Sequence, residues 1–188
     1  MVEAILDATT RILVSDGYVR LTTNRVAELA GISIGSLYQY FPNRDALITG
    51  VARRYTDTMK AELEEILIET KTESLKAAVT AMIKCIAARN AKNPKLNYIL
   101  NHELPRLGNM EWRDDIAARS LWLANSLLAT HKVELRSEID LGTAAFLIAK
   151  TVEAVATSMG QARAAKLSKD KIEMSLIEML LLFLKNKE

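Results

Sequence analysis

Between Thr22 and Arg44 the chain concentrates side chains suited to holding a polyanion. Hydroxyls stand at Thr22, Thr23, Ser33, Ser36, Tyr38 and Tyr40, guanidinium groups at Arg25 and Arg44, and an amide at Gln39. Hydroxyl and guanidinium groups match phosphate oxygens, whereas the Gln39 amide and the Ile34 methyls match base edges. Gly35 lets a helix backbone approach a duplex closely, which would compensate for the roughly 1 kcal/mol that glycine costs inside a helix. Tyr38, Tyr40 and Phe41 fall within four consecutive positions. Neighbours on a helix point in different directions, so Phe41 is assigned to the interior and the two tyrosines to the outer surface.

Presenting those groups requires two short helices at a steep crossing. Thr22 is a good N-cap for a helix through Ala30, and Gly31 supplies its end. Ser33 caps the next helix, Ile34 to Tyr40, and Pro42 forces the chain out of the helical path. A first helix from Val2 to Asp16 buries Ile5, Ala8, Ile12 and Leu13, with Gly17 as a left-handed stop. Val26, Ala30, Ile32 and Leu37 are placed in a core shared with it, while Ala27 permits close approach and Gly31 makes the turn. This spacing is a helix-turn-helix signature, and its outer face would enter the major groove of DNA.

Three prolines and seven glycines in 188 residues, with apolar positions returning every three or four, predict an all-α chain. A long helix is expected from Arg44 to Glu69, then others at Glu73 to Ala91, Lys95 to Leu104, Glu111 to Thr130, Ile139 to Lys166 and Ser168 to Lys185. Pro94 is read as a break and HKVELRSE as a turn. The predicted architecture is an N-terminal three-helix helix-turn-helix DNA-binding domain, residues 1–48, and a C-terminal helical ligand-binding and dimerisation domain, residues 49–188. Arg53 and Arg54 are read as a solvated helix face. The last two helices carry apolar residues on more than one face, which predicts a two-fold homodimer through them. Met82, Ile86, Tyr98, Trp112, Trp122 and Phe146 are candidates to line an apolar pocket for a small-molecule effector, with His102, Asn125 and Glu153 as polar contacts. Glu153 also stands one turn from Lys150 and can pair with it.

A 49% hydrophobic, 26% charged composition predicts a folded globular protein. The net charge of +2 does not by itself announce a nucleic-acid partner. Its distribution is more informative, because Arg20, Arg25, Arg44, Arg53 and Arg54 face only Glu28 and Asp45 across that stretch. One cysteine, Cys85, forms no internal disulfide and is read as a small buried apolar residue. The apolar run Met179 to Leu184 falls short of the ~20 residues that span a bilayer, so no membrane segment and a cytoplasmic setting are expected. His131 with Glu134 is too little for a metal site, and no nucleophile elbow or glycine-rich phosphate loop is present. No enzyme activity, cofactor or metal is expected.

Residues 2 to 50 resemble the DNA-binding domain of the TetR family of transcriptional regulators. The likeness lies in the paired Thr22 and Thr23, in VAELAGIS, in the LYQYF aromatics and in Arg44 opening the fourth helix. It implies that Thr23, Ser33, Ser36, Tyr38, Tyr40 and Arg44 contact DNA. The chain departs from many relatives at Ile34, where they hold lysine or another polar residue. The implied function is a ligand-responsive repressor, dimeric through a four-helix interface and released from a palindromic double-stranded DNA operator by a largely apolar small molecule. An activator of the same family would use the same residues. The alternative from another class is an all-helical enzyme or lipid-binding protein with a structural N-terminal hairpin.

Overall fold

Helix ends fall where a nearby group answers an unpaired backbone amide or carbonyl. The Thr22 hydroxyl accepts from Arg25 N–H, that of Ser33 from Ser36 N–H, that of Ser74 from Ala77 N–H and that of Ser168 from Lys171 N–H. Gly31 takes the left-handed conformation, φ 68 and ψ 33. Its N–H donates to Glu28 O and the following Ile32 N–H to Ala27 O, the paired arrangement that lets a helix stop within one residue. Gly17 differs in part from expectation: its φ of 81 is the positive value that favours glycine, but its ψ of 174 lies outside the left-handed helical region, so it ends its helix without an αL turn. Pro94 opens a helix instead of merely ending one, since at a first helical position its missing N–H goes unneeded.

The computed structural model describes residues 1–103 and 111–185, and the side chains of residues 103, 111–116 and 160–164 lie outside that description. The helices are α1 (Val2–Asp16), α2 (Thr23–Ala30), α3 (Ile34–Tyr40), α4 (Arg44–Glu69), α5 (Leu75–Lys92), α6 (Pro94–Tyr98), α7 (Glu111–Thr130), α8 (Leu141–Ala164) and α9 (Lys169–Leu184). Short 3-10 turns occupy Tyr18–Arg20 and Lys132–Glu134, and α6 runs into a π turn at Ile99–Glu103. The fold is all-α, with no strand among the described residues. By compactness the chain divides into two units, Met1–Asp57 with Pro94–Trp112, and Thr58–Asn93 with Arg113–Glu188. The first unit thus continues past residue 48 along α4.

In the first unit Ile5, Leu13, Val26, Leu37 and Leu47 are fully buried where α1, α2, α3 and α4 meet. Ala30 and Ile32, placed in this core on spacing alone, are only half-buried. Leu21, from the connection before α2, fills the centre instead. Phe41 does turn inward, lying over Gly50 of α4 beside Leu6. A Cβ on Gly50 would come within 2.8 Å of Phe41 Cε1 and 2.9 Å of Leu6 Cδ2, so this glycine is what admits the ring. Arg54 is not a solvated residue. It donates to Glu3 Oε2 at 3.0 Å, Asp7 Oδ1 at 2.7 Å and Thr10 Oγ1 at 3.1 Å, three acceptors on one face of α1.

The second unit packs Ala144, Ala145, Ile148 and Ala149 of α8 against Leu176, Leu180 and Leu184 of α9, with Leu75, Val79 and Met82 of α5 and Leu127 of α7 in the same core. Small side chains on α8 allow the close approach. Glu134 closes one end of this unit. Its Oε1 accepts from Leu75 N–H at 2.6 Å, adding to the cap of α5, and its Oε2 meets Lys185 Nζ at 2.8 Å. His131, buried at the end of α7, holds Nδ1 3.5 Å from the same carboxylate. The His131 and Glu134 pair is therefore part of a helix cap, and among the described residues no group of three His, Cys, Asp or Glu could hold a metal. One stretch, Leu141–Met159 of α8, is long and apolar enough by length and composition to cross a membrane, a longer run than the one singled out from sequence.

Candidate nucleic-acid interface

α3 is a seven-residue helix held by one fully buried side chain, Leu37. With Leu37 inward, helical geometry turns Ser33, Ile34, Gly35, Tyr38, Gln39 and Tyr40 outward, and all six are exposed; Ser36 is half-buried. Tyr38 and Tyr40 keep 48% and 47% of their surface in solvent. Ser33 Oγ caps the helix through Ser36 N–H at 3.0 Å and also lies 2.9 Å from Ser36 Oγ, so the two hydroxyls form one polar corner. Tyr38 OH is 3.1 Å from Thr23 Oγ1, joining the middle of α3 to the start of α2. Thr22 is exposed at the N-cap of α2, with its side-chain oxygen accepting from Arg25 N–H at 3.3 Å.

The arginines of this unit are less free than their count suggested. Arg25, expected to pair with phosphate, forms an ion pair with Asp16 and donates to Arg20 O at 3.1 Å. The hydrogen bond from Arg25, and then one from Ser15, hold the Asp16 carboxyl below the usual carboxylate range. Each charge sits at the less favourable end of its own helix, an acid on the last residue of α1 and a cation in the first turn of α2. Their pairing offsets both. Arg44, the first residue of α4, donates through Nη2 to Tyr18 OH and lies with Cζ 4.2 Å from the Tyr18 ring centroid. The outward face of α3 itself carries hydroxyls, an amide and methyl groups but no charge.

Gly35 is informative for what does not surround it. A Cβ there would meet only Ser33 Oγ, at an ordinary 3.9 Å. Nothing within the chain demands glycine at this position, in contrast to Gly50.

The pocket candidates are distributed rather than gathered. Tyr98 and His102 belong to the first unit, where their ring centroids lie 4.9 Å apart with the planes tilted by 36°, and Tyr98 is half exposed. The other described candidates belong to the second unit. There Met82 is buried and Ile86 packs on the core. Trp122 is exposed with Lys60 Nζ 5.6 Å from its ring centroid, Asn125 is exposed and donates to Leu121 O in its own helix, and Phe146 is 52% exposed. Those three stand at the surface and are not gathered with Met82 in the unit's core. Glu153 pairs with Lys150 at 2.9 Å. The side chain of Trp112 lies outside the description. Sequence reading passed over Tyr18, Asp16 and Leu21, since each acts through a partner that no local pattern reveals.

Comparison with known proteins agrees with this geometry. Residues 5–51 match the tetR family of bacterial regulatory proteins, and residues 74–184 match the tetracyclin repressor-like C-terminal domain. Nucleoid occlusion factor SlmA of Haemophilus ducreyi is 29% identical over 101 residues, covering 54% of this chain and 49% of that protein. The match thus spans about half the length of that relative. A TetR-family transcriptional regulator from Haemophilus influenzae is 25% identical, with a TM-score of 0.66 over 98% of this chain and 96% of that one. The transcriptional regulator FadR from Bacillus subtilis, solved in complex with stearoyl-CoA, shares the fold at 19% identity, with a TM-score of 0.76 over 98% of this chain and 100% of that one.

Proposed function

The chain belongs to the tetR family of bacterial regulatory proteins, and from that premise we propose that it is a ligand-responsive repressor, released from a palindromic operator by a small molecule. As a family member it is a helix-turn-helix transcription regulator. The residues assigned to DNA are those of the α3 face, Ser33, Ile34, Gly35, Ser36, Tyr38, Gln39 and Tyr40, with Thr22 and Thr23 of α2 and Arg44 of α4. Arg25 contributes at second hand, through its pairing with Asp16.

The observation that carries this reading is the Gly35 environment. Glycine within a helix costs about 0.5–1 kcal/mol against alanine, and no neighbour in the chain requires it. A helix that keeps glycine at the centre of an exposed face is suited to a partner that presses against its backbone. The floor of a major groove is such a partner.

A dimer supports two recognition helices at successive major grooves, about 34 Å apart. We place its interface on the outward faces of α8 and α9, where Phe146, Leu147, Met174, Met179 and Leu182 are exposed. On α9 these last three sit at spacings of five and three residues along one side, opposite the buried Leu176, Leu180 and Leu184. That outward apolar surplus also accounts for the membrane-like composition of α8 without a membrane. The effector is taken to be largely apolar and to bind near Met82 and Ile86. It can shift the regulator only by its differential affinity for the DNA-competent and released states.

A gel-shift titration with the promoter region upstream of the protein's own coding sequence tests the reading. Saturable binding that survives excess nonspecific DNA is expected. Binding abolished by that competitor would leave the structural-hairpin alternative standing. Operator position relative to the promoter then separates repressor from activator.

A further inference from the structure

We propose that Tyr18 is a positioning residue for Arg44 in binding the DNA backbone, an inference that rests on the regulator reading above. Arg44 stands at the first position of α4, where the helix dipole presents its positive end and disfavours a cation. Tyr18 answers that placement twice. The face of its ring lies 4.2 Å from Arg44 Cζ, and its hydroxyl accepts from Nη2. Ring face and hydroxyl together fix both the position and the tilt of a planar guanidinium, a control that neither contact alone would give. Of the five N–H donors of an arginine, the hydrogen bond to Tyr18 engages one, and the rest keep the fork geometry that matches phosphate oxygens.

The location of Tyr18 adds to the argument. It opens the 3-10 turn Tyr18–Arg20, directly before the segment that supplies Thr22 and Thr23. Arg44 is thereby tied to the same connection as the hydroxyls at the start of α2, so cation and hydroxyls approach one backbone as a set. A long flexible side chain already held in place loses less freedom when a phosphate arrives. Tyr18 itself needs no contact with DNA.

The test is a double-mutant cycle on the full chain. Affinity is read on a random-sequence DNA duplex at low salt, because backbone contacts do not depend on sequence. Tyr18→Phe keeps the ring and removes the hydroxyl; it is expected to weaken binding by about threefold to tenfold. Arg44→Gln should weaken binding and flatten the slope of log affinity against log salt by about one for each phosphate it no longer neutralises. In the Arg44→Gln background, Tyr18→Phe should have no further effect. Arg44→Lys, which keeps the charge without the plane, should also remove most of the effect of Tyr18→Phe. Additive losses, or a Tyr18→Phe protein that binds like wild type, would overturn the positioning role. Wild-type protein that fails to bind the duplex at all would remove the regulator reading and this inference with it, a result distinguishable from additivity.

Discussion

Tyr38 OH and Thr23 Oγ1 lie 3.1 Å apart, a hydroxyl bridge between the exposed middle of α3 and the first turn of α2. Either oxygen can give up this contact to a phosphate without leaving a buried group unpaired, because both sit at the surface. Tyr38→Phe is expected to fold with near wild-type stability and to bind all DNA sequences more weakly, by about threefold to tenfold. Fluorescence anisotropy against an operator and a random duplex measures both. Unchanged affinity in a salt titration would remove Tyr38 from the interface.

Gly35→Ala should separate stability from function. The added methyl meets only Ser33 Oγ, and a helix gains about 0.5–1 kcal/mol from the change, so thermal unfolding should shift upward. DNA affinity should fall, because the methyl stands between the α3 backbone and its partner. A variant that is both more stable and equally tight on DNA would show that the helix does not approach closely there.

Gly50→Ala should do the opposite. Its Cβ would fall 2.8 Å from Phe41 Cε1 and 2.9 Å from Leu6 Cδ2, and packed rings and helices yield only in part. Overpacking of this kind costs about 1–3 kcal/mol. Chemical denaturation reads the loss, and α-helical circular dichroism should be retained.

Local structure was legible wherever its cause was local. Thr22, Gly31 and Ser33 mark helix ends by chemistry that acts within a turn, and such marks bound the third helix at Ile34 and Tyr40, as the structure has it. Ala30 and Ile32 are only half-buried: helical spacing says which residues share a side, not how deep that side lies. Leu21 took the central place since a connection can be driven inward by its neighbours without any periodic signal. The exposed face of α3 follows from register around the buried Leu37. The pairs Arg54 with Asp7, Arg44 with Tyr18 and Glu134 with Leu75 join positions far apart in sequence, so nothing beside either partner announces them. Residue type alone does not say which pocket candidates share a side of the fold: Met82 lies in the core, whereas Trp122 and Phe146 are half exposed.

Glu134 gives the protein a pH dependence in acid. Burial alone would raise its pKa, but the hydrogen bond and charge of Lys185, the Leu75 N–H and the charge of His131 outweigh burial and lower it. A carboxyl whose folded pKa is depressed stabilises the fold above the unfolded value, about 4.3 for glutamate, and this contribution is lost as pH falls through the lower folded value. Unfolding midpoints should therefore drop below about pH 4, and Glu134→Gln should lessen that drop. At neutral pH the same variant should be destabilised by about 0.5–1 kcal/mol, the usual size for a partly exposed ion pair.

Leu182→Glu tests the proposed dimer. The residue is 65% exposed on α9, so the fold should tolerate the charge, while an apolar interface would not. Sedimentation should report a monomer, and operator affinity should fall by about a hundredfold or more once two recognition helices no longer act together. A variant that remains dimeric would move the interface away from this face.

The grip of Arg54 on Glu3, Asp7 and Thr10 works like a key cut to three notches. Sliding α1 along α4 by a single residue would misalign every notch at once, whereas a slight pivot would stretch each only a little. The start of α4 and the first helix should therefore travel lengthwise as one piece, and any lengthwise shift of that segment would carry α1 along as a passenger.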